Sequence, residues 1–132
     1  SKAAFQKIIS FIKSKSYSFE LLNNFSDKDY INCMSSSHLI IGNSSSFVIE
    51  APSLHKASVL IGTRQEGRES AKSVLNSIYC KDLLIKNINC AAELNSPEVE
   101  SSNISIFSNP YWHGGSCSKI INKLEKWKFI RR

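Results

Sequence analysis

Ser44, Ser45 and Ser46 stand directly after a short apolar run, Leu39-Ile40-Ile41, that closes with Gly42 and Asn43. The segment that follows, Phe47-Val48-Ile49-Glu50-Ala51-Pro52, has helical character. Three small hydroxyl side chains at a helix start can hold an anion, because the first N–H groups of a helix lack intrahelical partners and carry partial positive charge. A phosphate fits that description. The same serines would equally serve only to cap the helix, with Asn43 or Ser44 as the N-cap. Glu50 lies four residues after Ser46, on the same helical face, amid apolar neighbours. A carboxylate there needs a partner, since an unpaired buried charge is expensive. Sugar hydroxyls one nucleotide length from a phosphate would supply it, and so would an arginine of the chain itself.

A second loop, Thr63-Arg64-Gln65-Glu66-Gly67-Arg68-Glu69, carries its own chemistry. Arg64 and Arg68 offer permanently charged planar forks suited to phosphate oxygens. With Glu66 and Glu69 alongside, they would also make an ordinary surface salt-bridge cluster. Tyr30 is a core aromatic or a ligand contact according to whether its helix borders the same edge.

The elements that must position these groups alternate along the chain. Residues 3–13 place Phe5, Ile8, Ile9 and Ile12 on one face of an amphipathic helix. Residues 19–25 read as a strand, although Asn23-Asn24 interrupts it. Ser26 or Asp27 then caps a short helix holding Tyr30, Ile31 and Met34. Residues 38–42 form a first buried strand and residues 44–54 a helix that Pro52 stops or bends. Residues 57–62 form a second buried strand ending in Gly62, and residues 73–78 a weaker one. Residues 82–93 read as helix, 95–103 as loop, 104–107 as a brief extended piece, 109–115 as turns and 116–129 as a closing amphipathic helix.

Strands alternating with helices predict a parallel α/β sheet with helices on both faces. Ligands of such sheets sit beyond the carboxyl ends of the strands. Both Gly-terminated strands deliver their loops to that edge, so the two loops line one site. A length of 132 residues supports one domain with a core and not two. The net charge of +6 favours anions, but the basic residues are scattered, and no run resembles a nucleic-acid-binding arm. Four cysteines, Cys33, Cys80, Cys90 and Cys117, form no C-x-x-C pair and lack histidines at metal-ligand spacing. They read as reduced thiols of a cytoplasmic protein, mostly small core fillers. No run approaches the ~20 apolar residues of a membrane span, and the start shows no signal-peptide pattern.

The motifs G-N-S-S-S-F-V-I-E-A-P-S-L (residues 42–54), I-G-T-R-Q-E-G-R-E (61–69) and S-N-P-Y-W-H-G-G-S (108–116) resemble those of the UDP-N-acetylglucosamine 2-epimerases, nearest the hydrolysing, sialic-acid-pathway branch. The likeness runs from about residue 4 to the last helix, and its first two motifs together are specific. It implies a Rossmann-like nucleotide-binding domain, the carboxyl-terminal half of a two-domain, glycosyltransferase-B-like epimerase. It further implies that residues 1–132 are a single, amino-terminally truncated domain whose missing partner domain carries the catalytic carboxylates. His38, His55 and His113 match no catalytic position, so no catalytic residue is assigned.

By the same resemblance, Ser44, Ser45 and Ser46 hold the diphosphate of UDP, Glu50 the ribose hydroxyls and Arg64 the phosphates, while Arg68 has a structural role. Tyr30 falls beside the uridine, and Phe25 at the strand end passing the uracil. The implied substrate is a UDP-sugar, with no metal or organic cofactor; self-association is left open. Phe47 departs from the family's usual glycine, and Trp112 and His113 from its Gly-Asp. A glycosyltransferase nucleotide domain and a non-catalytic UDP-sugar binding module share the architecture and remain alternatives.

Overall fold

The computed structural model describes residues 2–14, 20, 25–100 and 104–127. The chain divides into two compact units, Ser1–Tyr30 and Ile31–Arg132. The first holds α1 (Lys2–Lys13) and the start of α2 (Asp27–Ser36). Ser26 caps α2: its Oγ accepts from Asp29 N at 3.1 Å and donates to Asp29 Oδ2 at 2.6 Å. The strand expected at 19–25 falls mostly outside the described residues, and Phe25 itself is in no strand.

The second unit is built on a parallel sheet of three strands in the order β1 (Ile40–Gly42), β2 (Ser58–Ile61) and β3 (Val74–Ser77). Ile41 pairs with Val59, which pairs with Leu75. Successive side chains of a strand point to opposite faces, and here each face has its own core. Leu60 and Val74 pack with Val48 and Ala71 on one side, with Phe47 and Ile49 against them. Val59 lies on the other side with Ala57, Ala91 and Phe107, backed by Leu75 and Ile88. The first face is covered by α3 (Ser46–Ile49) and the second by α4 (Lys81–Leu94). The α/β reading therefore holds. Residues 62–73, between β2 and β3, contain turns but no helix.

Several boundaries differ from the sequence reading. The helix expected over 44–54 is a single α-turn followed by a 3-10 turn, Ala51–Leu54. Pro52 has no N–H to continue the α-helical ladder, so the tighter turn takes over. That turn ends in a Schellman-type closure, with His55 N donating to Pro52 O at 3.1 Å and Lys56 N to Ala51 O at 3.0 Å. His55 takes the left-handed conformation (φ 53°) that such a closure demands. The expected loop 95–103 contains a short helix, α5 (Pro97–Glu100), and the expected extended piece at 104–107 is another 3-10 turn. The closing helix, α6 (Ser116–Glu125), keeps Ile120, Ile121 and Leu124 more than half exposed. The cysteines are free, but Cys33, Cys80 and Cys117 are exposed and only Cys90 is half-buried, so they are not core fillers.

Asn95, at the end of α4, anchors the amino ends of two strands. Its Oδ1 accepts from Ala57 N at 2.7 Å, and its Nδ2 donates to His38 O at 2.9 Å and Ala57 O at 3.1 Å. Asn95→Ala is expected to lower unfolding free energy by about 2–3 kcal/mol, because buried backbone groups are left without this partner. Ser73 is fully buried with an unpartnered hydroxyl among the described residues. Ser73→Ala should therefore stay within about 0.5 kcal/mol of wild type or gain stability. Urea denaturation of the two variants measures both values.

Candidate functional site

β1 leaves the sheet through a turn that only glycine accommodates. Gly42 has φ +154°, and a Cβ added there would lie 2.9 Å from Phe47 Cε2. Phe47, which departs from the family motif, thus closes over Gly42 and packs on the core. β2 leaves through Gly62 at φ +83°, where a Cβ would meet Tyr79 Oη at 2.6 Å.

Ser44, Ser45 and Ser46 form the corner that follows Gly42, all three half-buried. The N-cap of α3 is Ser45, neither Asn43 nor Ser44, and its side chain makes no capping bond. Ser45 O accepts from Val48 N and Ile49 N, each at 3.0 Å. Ser44 Oγ donates to Ser46 Oγ at 3.3 Å and accepts from Ser46 N at 3.4 Å. Capping alone therefore does not account for the three hydroxyls. Among the described residues, the N–H groups of Ser44 and Ser45 donate to no backbone acceptor.

Glu50 closes α3, its N–H donating to Ser46 O at 2.8 Å. Its Oε2 is buried without a hydrogen-bond partner among the described residues. Among the described residues no arginine reaches it, so the internal partner weighed from the sequence does not form there. Glu50 lines a cavity of about 220 Å³ with Ile49, Ser53, Leu54, Tyr111 and Trp112.

Arg64 is exposed at the start of a turn, Glu66 N donating to Thr63 O at 3.0 Å. The salt-bridge cluster weighed for Arg64, Glu66, Arg68 and Glu69 does not form among the described residues. Between Arg64 and Glu66, Gln65 turns inward: it is 8% exposed, and its Nε2 donates to Asn43 O at 2.9 Å. This bond ties the exit loop of β2 to the exit loop of β1. Sequence reasoning missed Gln65, although it stood inside a motif rich in charged neighbours, the one long uncharged polar side chain among them. Gln65 and Arg68 also line a cavity of about 250 Å³ against Val48 and Leu60. Ser44, Ser45, Ser46 and Arg64 line neither cavity.

Phe25 and Tyr30 belong to the first unit and meet each other there, ring centroids 6.4 Å apart in an edge-to-face pair. Phe25 is 41% exposed and Tyr30 half-buried. Among the described residues, no group of three or more histidine, cysteine, aspartate or glutamate side chains could hold a metal ion, and no helix is long and apolar enough to cross a membrane.

The model of the family described as UDP-N-acetylglucosamine 2-epimerase matches residues 1–125. A polysialic acid biosynthesis protein of Escherichia coli is 37% identical over 98 residues, 74% of this chain and 24% of that protein. A hydrolysing UDP-N,N'-diacetylbacillosamine 2-epimerase of Legionella pneumophila is 35% identical over 57% of this chain and 19% of its own length. A UDP-N-acetylglucosamine 2-epimerase of Campylobacter jejuni is 32% identical over 82% of this chain and 28% of its own. The chain thus spans about a quarter of the length of these curated relatives.

Gly42→Ala is expected to cost about 1–3 kcal/mol in urea unfolding, since both the backbone conformation and the Phe47 ring oppose a Cβ. Gln65→Leu should change global stability by less than about 1 kcal/mol, because an unsatisfied buried Oε1 leaves together with one bond. Exchange of the Glu66 and Arg68 amides should nevertheless accelerate about tenfold by hydrogen–deuterium exchange, as the turn loses its strut.

Proposed function

Because the chain belongs to the UDP-N-acetylglucosamine 2-epimerase family, we propose that it is the UDP-binding, carboxyl-terminal domain of such an enzyme. The observation that carries this reading is the Gln65–Asn43 bond, which holds a triple-serine helix corner beside an arginine-bearing loop. In this proposal the N–H groups of Ser44 and Ser45, which have no backbone acceptor among the described residues, receive the diphosphate together with the hydroxyls of Ser44, Ser45 and Ser46. Arg64, exposed and without an ion-pair partner among the described residues, supplies the countercharge. Glu50, with its unpartnered Oε2, accepts hydrogen bonds from the ribose hydroxyls.

The reaction of the intact protein is proposed as hydrolytic epimerisation. A base of the partner domain takes the C2 proton of the sugar while UDP departs, leaving a glycal. Water then adds across the double bond with inversion at C2, giving free N-acetylmannosamine. This chain's part is to stabilise the charge that develops on the departing diphosphate, through oriented amides and a guanidinium. The named activities of the Legionella and Campylobacter relatives support an epimerase, and the former supports the hydrolysing course. The Escherichia coli relative supports a place in sialic-acid-type sugar synthesis. The Legionella name also keeps a diacetamido sugar as a second candidate substrate. Four unpaired cysteines accord with the reducing cytoplasm.

Ser45→Ala, Glu50→Ala and Arg64→Ala, made in the intact protein, are each expected to weaken UDP binding by about 1–3 kcal/mol. Isothermal titration calorimetry reads this, and unchanged affinity in all three removes the site. Incubation of the intact protein with UDP-N-acetylglucosamine should release UDP and free N-acetylmannosamine. Transfer to an acceptor instead would make it a glycosyltransferase.

A further inference from the structure

The loop around Asn109 is fixed to the Glu50 segment more firmly than its turn-rich sequence suggests. Asn109 Nδ2 donates to Ile49 O at 2.7 Å and to Ser53 Oγ at 2.6 Å, reaching back across 60 and 56 residues. Its Oδ1 accepts from Tyr111 N at 2.9 Å, and its backbone carbonyl accepts from Trp112 N at 3.1 Å. One side chain thus clamps the turn on both sides of Glu50 and sets the direction in which Tyr111 and Trp112 leave it. Both rings line the cavity of about 220 Å³ that contains Glu50. Trp112, like Ser53 and Asn109, also borders a neighbouring cavity of about 600 Å³ at Pro52, His55 and Phe107.

The chemistry of the smaller cavity is asymmetric. Ile31, Ile49, Leu54 and the two aromatic rings offer apolar surface. The Ser53 hydroxyl accepts from the Asn109 amide, whose Nδ2 also donates to Ile49 O, and the Ser53 O–H is left as a donor. That leaves the Glu50 carboxylate, whose Oε2 lacks a partner among the described residues, as the acceptor still to be satisfied. A matching ligand presents hydroxyl donors along one edge and C–H surface elsewhere. A pentose with vicinal hydroxyls has that form.

We propose that Tyr111 and Trp112 form the specificity wall of a ribose-binding cavity and that Asn109 is the positioning residue that holds this wall against Glu50. The inference rests on the reading of Glu50 as the ribose contact. Removing the wall lets water reach the carboxylate, so the ribose 2′-hydroxyl loses its advantage as a donor, while the diphosphate end is untouched.

Calorimetry on the intact protein with UDP, 2′-deoxy-UDP and UMP tests this. Wild type should bind UDP at least about tenfold tighter than 2′-deoxy-UDP. Trp112→Ala and Asn109→Ala should each lower that ratio at least about threefold, with the UDP-over-UMP ratio, which reads the diphosphate site, held within about twofold. Because Trp112 is 74% exposed, its truncation does not threaten folding, and it decides the matter if Asn109→Ala fails to fold. A smaller change in the ribose ratio for Trp112→Ala overturns the wall, as does a wild type that does not discriminate ribose. If Ser45→Ala still weakens UDP in either case, the nucleotide reading survives; if wild type binds no UDP, both readings fall.

Discussion

One neutral hydrogen bond, from Gln65 Nε2 to Asn43 O, holds two loops of the molecule in a common frame. Parallel strands β1 and β2 end at the same edge of the sheet, but nothing in strand pairing dictates where their exit loops go. Gly42 and Gly62 permit sharp departures in many directions. Gln65 selects one of them. By reaching inward between two charged neighbours, it sets the Arg64 turn beside the serine corner and leaves both arginines of its loop in solvent.

The frame is carried by a thin scaffold. Three short strands are sandwiched between one α-turn and one long helix, so each face of the sheet has only a handful of large side chains. Polar residues compensate. Asn95 ties the base of β1 and β2 to the end of α4, Asn87 Nδ2 reaches Asn76 O and Ser77 Oγ from the same helix, and Ser58 Oγ donates to Phe47 O. Asparagine and serine thus perform joining work that larger domains leave to apolar contact.

Much of this was legible in the sequence. Apolar runs ending in glycine marked β1 and β2, and Ile88 and Ala91 marked the buried face of α4, because burial on a sheet or helix face imposes its own period. Ile85, read with them, is 46% exposed, and Leu84 packs on the sheet instead. Local capping chemistry placed Ser26 correctly. What escaped was whatever depends on contacts distant along the chain. Asn95 looked like loop composition, yet its partners are 38 and 57 residues away. Gln65 and Asn109 were ordinary polar letters for the same reason. The N-cap shifted from Asn43 or Ser44 to Ser45 because the turn after Gly42 consumes more of the chain than a minimal strand-to-helix junction. The 104–107 segment reads as a brief extended piece, but it is a 3-10 turn that packs Phe107 against Ala57 and Val59.

The strut between the loops is an amide meeting a carbonyl, with no ionisable atom on either side. Ordinary shifts of acidity leave it intact, and dissolved ions, which weaken attraction between exposed charges, have no grip on it. If the proposed site takes an anion, salt would weaken the pull of exposed charges such as Arg64 without moving this strut. The frame of the two loops keeps its shape while the electrostatic attraction fades.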